Sequence, residues 1–114
     1  VFKVNGALMG SEIAASTGPL IEGTVKGTRK LIAVEVIKYW KGAGYPFPVV
    51  HKAQVDGDSA KVWWRDPDYT EDSMYYLRVT QEVSPALAKR YADRDPNPFP
   101  TEMAWSSPVW VDRE

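Results

Sequence analysis

The side chains that could run a reaction are few and scattered along this sequence. It contains one histidine, His51, and no cysteine. A thiolate nucleophile and Cys-ligated metals are thereby excluded. Zinc at His51 would need three or more carboxylate or water ligands, a set zinc seldom accepts. His51 sits between Val50 and Lys52 in a run that reads as strand, so a surface or half-buried strand histidine is the plain reading. Ser106 and Ser107 have no glycine elbow around them, which argues against a serine nucleophile. Gly23, Gly27, Gly42 and Gly44 do not match the spacing or context of a phosphate loop.

The best metal pattern is acidic. Asp66, Asp68, Thr70 and Asp72 fall at alternate positions, as the first oxygen ligands of a calcium loop do. Glu71 stands where that loop needs glycine, and Leu77 where it needs a bidentate glutamate. Asp66, Asp68 and Asp72 are therefore weak calcium candidates, and the competing reading is a solvated acidic turn. Asp56-Gly57-Asp58 reads as hairpin chemistry.

Aromatic residues carry more information. Trp40, Trp63, Trp64, Trp105 and Trp110 are too many for one small core. Adjacent Trp63 and Trp64 must point to opposite faces of a strand, so at least one leaves the core. An exposed indole can cover an interface, lie under a Lys or Arg stem, or stack on a sugar. The expected contact surface comprises Trp63 or Trp64, Tyr91, and the proline-flanked Phe99 in the loop 93–100.

These residues need strands to position them. Leu31–Trp40 and Met74–Gln81 alternate with period two. In the first, Ile32, Val34 and Val36 are expected on one face, with Ala33, Glu35 and Ile37 on the other. In the second, Tyr75, Leu77 and Val79 share a side. Shorter runs at Phe2–Val4, Leu20–Lys26, Val49–Val55, Ala60–Arg65 and Met103–Val111 bring the count to about seven, the spacing of a sandwich. Asn5-Gly6 is a turn pair, and Ala7 to Gly18 reads as loop with one extended piece near Ile13. Pro108 should bulge or interrupt the last strand. Ser84-Pro85 reads as a helix start, with Ala86–Ala92 as a short helix inside the insert 83–101.

The chain has 114 residues and a formal net charge of −1. This is the size of one domain able to bury a core without disulfides or metal. No basic stripe exists to neutralise phosphates, so nucleic acid is an unexpected partner. No apolar run reaches the length of a membrane-spanning helix. The opening Val1-Phe2-Lys3-Val4 lacks a start Met and a signal pattern, which reads as a chain beginning inside a longer protein.

Tyr75-Tyr76-Leu77-Arg78-Val79-Thr80-Gln81, followed by Ala104-Trp105-Ser106-Ser107-Pro108-Val109-Trp110-Val111, resembles the final strands of the β-sandwich appended to bacterial PHP-type metallohydrolase-like proteins. Val4-Asn5-Gly6-Ala7-Leu8-Met9-Gly10, Val25-Lys26-Gly27-Thr28 and Val34-Glu35-Val36-Ile37 look like the opening of that module. The long insert 83–101 departs from it. None of that family's metal-binding motifs matches a position here, so no catalytic residue or cofactor carries over. The resemblance implies an accessory domain that packs on an upstream metal-binding domain of the same polypeptide. It also makes an extracytoplasmic bacterial location plausible.

The expected fold is all-β: an antiparallel immunoglobulin- or fibronectin III-like sandwich, residues 1–114, with one short helix before the last strand. Val34, Val36, Leu77, Val79, Val109 and Trp110 are expected in its core. The expected role is non-catalytic packing. The alternatives are a carbohydrate-binding module using exposed Trp and Tyr, and a calcium-stabilised adhesion-type domain. A stand-alone enzyme would need a deep pocket of ionisable groups around His51. Oligomeric state is not legible.

Overall fold

A computed structural model describes residues 1–95 and 101–114. Its elements run β1 (Phe2–Val4), β2 (Ala7–Leu8), β3 (Glu12–Ala15), β4 (Leu20–Lys26), β5 (Leu31–Trp40), β6 (Val49–Lys52), β7 (Gln54–Asp56), β8 (Ser59–Arg65), β9 (Ser73–Gln81), α1 (Pro85–Tyr91), β10 (Glu102–Trp105) and β11 (Val109–Arg113). One sheet has the order β2-β1-β4-β8-β7. The other has β3-β11-β9-β5-β6, with β10 also pairing β9. The described residues thus form a two-sheet, mostly β domain with one short helix.

Turn chemistry sets the hairpins. Asn5 and Gly6 both take positive φ, 48° and 80°, as a type I′ turn requires, and this turns β1 into β2. Gly57 at φ 60° opens the two-residue turn between Asp56 and Ser59. Between Ala7 and Gly18 the extended piece expected near Ile13 forms as β3, and β2 stands where loop is expected. β3 pairs in parallel with β11, Trp110 opposite Glu12 and Arg113 opposite Ala15.

The run 49–55, expected as one strand, serves both sheets. β6 pairs with β5 and β7 pairs with β8. Between them Ala53 donates its N–H to the carbonyl of Val34 at 2.8 Å. The chain therefore crosses from one layer to the other within a single residue, and no periodicity signal marks that corner.

Inner faces of both sheets build one core. Phe2, Val4, Ile21 and Val62 come from the first sheet, and Val34, Val36, Tyr75, Leu77, Val109 and Val111 from the second. Burying a side chain of this size contributes about 1.5–3 kcal/mol. Tyr75, Leu77 and Val79 share the inner face as expected, with Val79 half-buried at its rim.

One face assignment and one core assignment need correction. Ile32 is 49% exposed, because pairing with β9 shifts between Leu31 and Ala33. Ile32 is the extra residue of a β-bulge, which brings Leu31, rather than Ile32, onto the face of Val34 and Val36. Trp110 is 47% exposed. Val109 and Val111 point inward, so alternation turns the residue between them to the outside.

The last strand breaks as Pro108 predicts, into β10 and β11, both against β9. Helix α1 starts where Ser84 Oγ accepts from the N–H of Leu87 at 3.3 Å. None of its residues is buried. Most of the loop 93–100, including Phe99, lies outside the described residues.

Gly18 packs directly on the end of β8. A Cβ there would stand 1.9 Å from the Asp66 carbonyl oxygen, an overlap only backbone movement can relieve. Gly18→Ala should lower stability by about 1–3 kcal/mol, the range for overpacking. Urea unfolding with an unchanged midpoint would contradict this packing.

Candidate functional site

The bulge at Ile32 leaves Val34, Val36, Lys38 and Trp40 facing inward along β5, so an ammonium group arrives on the core side. Lys38 is 5% exposed, and a charge there demands a partner. Asp66, just past β8 and 3% exposed, supplies it. Lys38 Nζ lies 2.7 Å from Asp66 Oδ2 and donates to the carbonyl of Asp68 at 3.0 Å. The same nitrogen stands 5.2 Å from the ring centre of Trp40 and 5.8 Å from that of Tyr75.

Asp66 is held on every side. Tyr75 Oη donates to Asp66 Oδ2. The N–H of Asp68 donates to Oδ1 at 2.9 Å, and the N–H of Asp66 donates to the Pro19 carbonyl at 3.1 Å. Burial pushes the Asp66 carboxyl upward, but the hydrogen bonds from Lys38, Tyr75 and Asp68 outweigh it and hold the group below the usual aspartate value. Burial, then the neighbouring Asp66 carboxylate, raises the Tyr75 phenol. Among the described residues no buried side-chain nitrogen or oxygen lacks a hydrogen bond.

A cleft of about 560 Å³ opens over this cluster, lined by Trp40, Trp64, Val50, Pro67 and the acidic turn with Asp68, Thr70 and Glu71. Trp64 faces inward, alternate to Trp63, and stacks on His51 with ring centres 5.1 Å apart and planes 11° apart. His51 thus packs across the two sheets. Burial lowers its pKa.

The carboxylates 66, 68 and 72 do not converge on a common point. Asp66 turns inward to Lys38, whereas Asp72 Oδ1 accepts from the N–H of Arg113 at 2.6 Å. Among the described residues no group of three or more His, Asp and Glu side chains could hold a metal ion. On the outer face of β5 and β9, Glu35 Oε1 accepts from Arg78 Nε at 3.1 Å and Nη2 at 3.0 Å.

The exposed aromatics divide between faces. Trp63, 64% exposed, stands on the outer face of the first sheet beside Glu22, its partner on β4. On the second sheet's outer face, Trp105 pairs with Arg78 and Trp110 with Met74. From Trp110 the ring series continues through Tyr39 and Phe47 to Tyr45, with centres 6.4, 5.0 and 5.5 Å apart. Tyr91 on α1 lies under Arg90 and Arg94, with guanidinium carbons 5.7 and 5.0 Å from its ring.

Sequence reasoning missed Lys38 and Trp40 as members of a site. The signal was present: Lys38 shares parity with Val34 and Val36, which puts a cation on an apolar face.

Replacing Lys38 by Met should destabilise the fold by about 3–5 kcal/mol, because it strands a buried carboxylate. Chemical denaturation measures it, and a loss under about 1 kcal/mol would mean the pair is not buried in solution. The acid limb carries the sign of the Asp66 shift. With its folded pKa depressed, Asp66 adds stability above its unfolded value of about 3.9, and this is lost as pH falls through the folded pKa. The stability gap between wild type and Asp66→Asn should be constant from about pH 7 to 5 and shrink below about pH 4. A gap that persists at the acid end would assign the stabilisation elsewhere.

Searches against known proteins find relatives in three Chlamydia species. The chain is 30% identical over 129 aligned positions to an uncharacterized protein of Chlamydia trachomatis serovar D. It is 30% identical over 122 positions to one of Chlamydia muridarum and 33% over 122 to one of Chlamydia pneumoniae. Each alignment covers 97% of this chain but only 17% of the relative, so the chain spans about a sixth of their length. No protein-family profile matches the chain, and no solved structure matches it significantly.

Proposed function

We propose that this chain is a non-catalytic, immunoglobulin-type packing module that docks on another part of a longer polypeptide. The topology supports the fold type. Taking β1, β4, β5, β6, β7, β8, β9 and β11 as strands A, B, C, C′, D, E, F and G, the sheets read A-B-E-D and G-F-C-C′, the immunoglobulin arrangement. The alignment over a small fraction of longer relatives supports the modular setting.

The observation that carries the docking role is the outer face of β9, β10 and β11. Met103, Trp105 and Trp110 are 52%, 59% and 47% exposed, and their pairings with Thr80, Arg78 and Met74 put them on one face. Trp and Met in such a group are what interface cores use. The ionisable groups near the core are, by contrast, committed to one another, Lys38 to Asp66 and Arg78 to Glu35. On the sequence resemblance, the partner domain is a PHP-type metal-dependent hydrolase domain upstream.

A carbohydrate-binding role fits less well. Neighbouring rings of the exposed series meet at 59°, 75° and 84°, so they offer no common plane for sugar faces. Calcium stabilisation fits less well because Asp66 is already neutralised by Lys38.

Hydrogen exchange compares this domain alone with the same residues in the longer polypeptide of its reading frame. Amides of β10 and β11 should exchange about tenfold or more slowly in the longer protein. Trp105→Lys with Trp110→Lys should abolish that protection without lowering the melting temperature of the isolated domain. Equal exchange in the two settings, or a reading frame no longer than this chain, would overturn the proposal.

A further inference from the structure

We propose that the cleft above the Lys38–Asp66 pair is a binding site for a guanidinium group. The cleft holds about 560 Å³, within the range of small-ligand pockets. Its walls are two indoles, Trp40 and Trp64, with Val50 and Pro67 completing the apolar part. Trp64 has one ring face covered by His51, which fixes the ring's orientation before any ligand arrives. Both indoles are half-buried, so they form walls rather than protruding rings.

Charge then selects the ligand. Lys38 is the lone cation of the lining, against the carboxylates of Asp66, Asp68 and Glu71, which leaves two negative charges in excess. Lys38 and Asp66 neutralise each other at the floor. Asp68 and Glu71 are exposed at the rim, and among the described residues neither makes an ion pair. An anion would meet repulsion there, and the lysine that could receive it is already committed. A guanidinium satisfies both halves of the site: it is planar and weakly hydrated, stacks on aromatic faces, and presents a fork of donors to carboxylates. A primary ammonium holds its water more tightly and cannot stack. The group could come from an arginine side chain of a peptide or from a small free guanidine.

Titration followed by amide and indole N–H correlation spectra tests this on the present chain. N-acetylarginine amide and agmatine are the two cationic probes, N-acetylcitrulline amide is the uncharged mimic, and cellobiose is the neutral sugar. The indole N–H signals of Trp40 and Trp64 should move saturably with a cationic probe while those of Trp63, Trp105 and Trp110 stay in place. Response to both cations means that the guanidinium suffices. Response to the arginine derivative alone assigns the site to a peptide, and response to agmatine alone assigns it to a free guanidine. Glu71→Gln and Asp68→Asn change exposed side chains and should each weaken binding about two- to fivefold, the loss expected of an exposed ion pair. No movement of the two signals at about 20 mM probe overturns the inference. So does citrulline or cellobiose matching the cations, since the site would then read shape or hydroxyls and not charge.

Discussion

A lysine pointing into the core is the constraint around which one end of this sandwich is arranged. Lys38 lies on the same face as Val34 and Val36, and an ammonium there is tolerable only with a carboxylate in contact. Asp66 meets it from just past the end of β8 in the opposite sheet, and Tyr75 closes the third side. The pair therefore joins β5, the end of β8 and β9 in one polar knot inside an apolar layer. Buried ion pairs add little net stability over apolar packing, but losing one partner is expensive. Here the pair bridges the two sheets at one end. The tight contact of Gly18 on the Asp66 carbonyl and the Pro19 hydrogen bond hold the acid's own backbone in place.

The same knot takes one acid out of the acidic turn, because Asp66 turns inward to Lys38 and Tyr75. The turn's remaining acids spread outward, one to the backbone of Arg113 and others to the rim of the cleft. What is left in the open is a negatively charged rim over indole walls.

Much of the fold is legible in the sequence because local signals agree with it. Asn5-Gly6 and Gly57 mark their turns, Pro108 breaks the last strand, and Ser84-Pro85 starts the helix. The alternation in Met74–Gln81 gives its inner face correctly. Two of the failures share a cause: a single extra residue changes parity. The bulge at Ile32 turns that residue outward and installs Leu31 in its place, and the corner at Ala53 lets one apolar run serve two sheets. Trp110 is outside the core for a simpler reason: its neighbours Val109 and Val111 point inward, and alternation turns it outward. The site was less legible than the fold, since it joins β5 to a turn about thirty residues away. Only the parity of Lys38 hinted at it.

The parallel pairing of β3 with β11 ties the beginning of the chain to its end. Once β1 and β2 have yielded, tension between the two ends would pull β3 backward and β11 forward along a shared ladder. All the rungs of that ladder are then loaded together in shear, instead of being peeled one by one. A domain joined on both sides to other parts of a polypeptide would thus meet force at this point with a ladder whose hydrogen bonds act together.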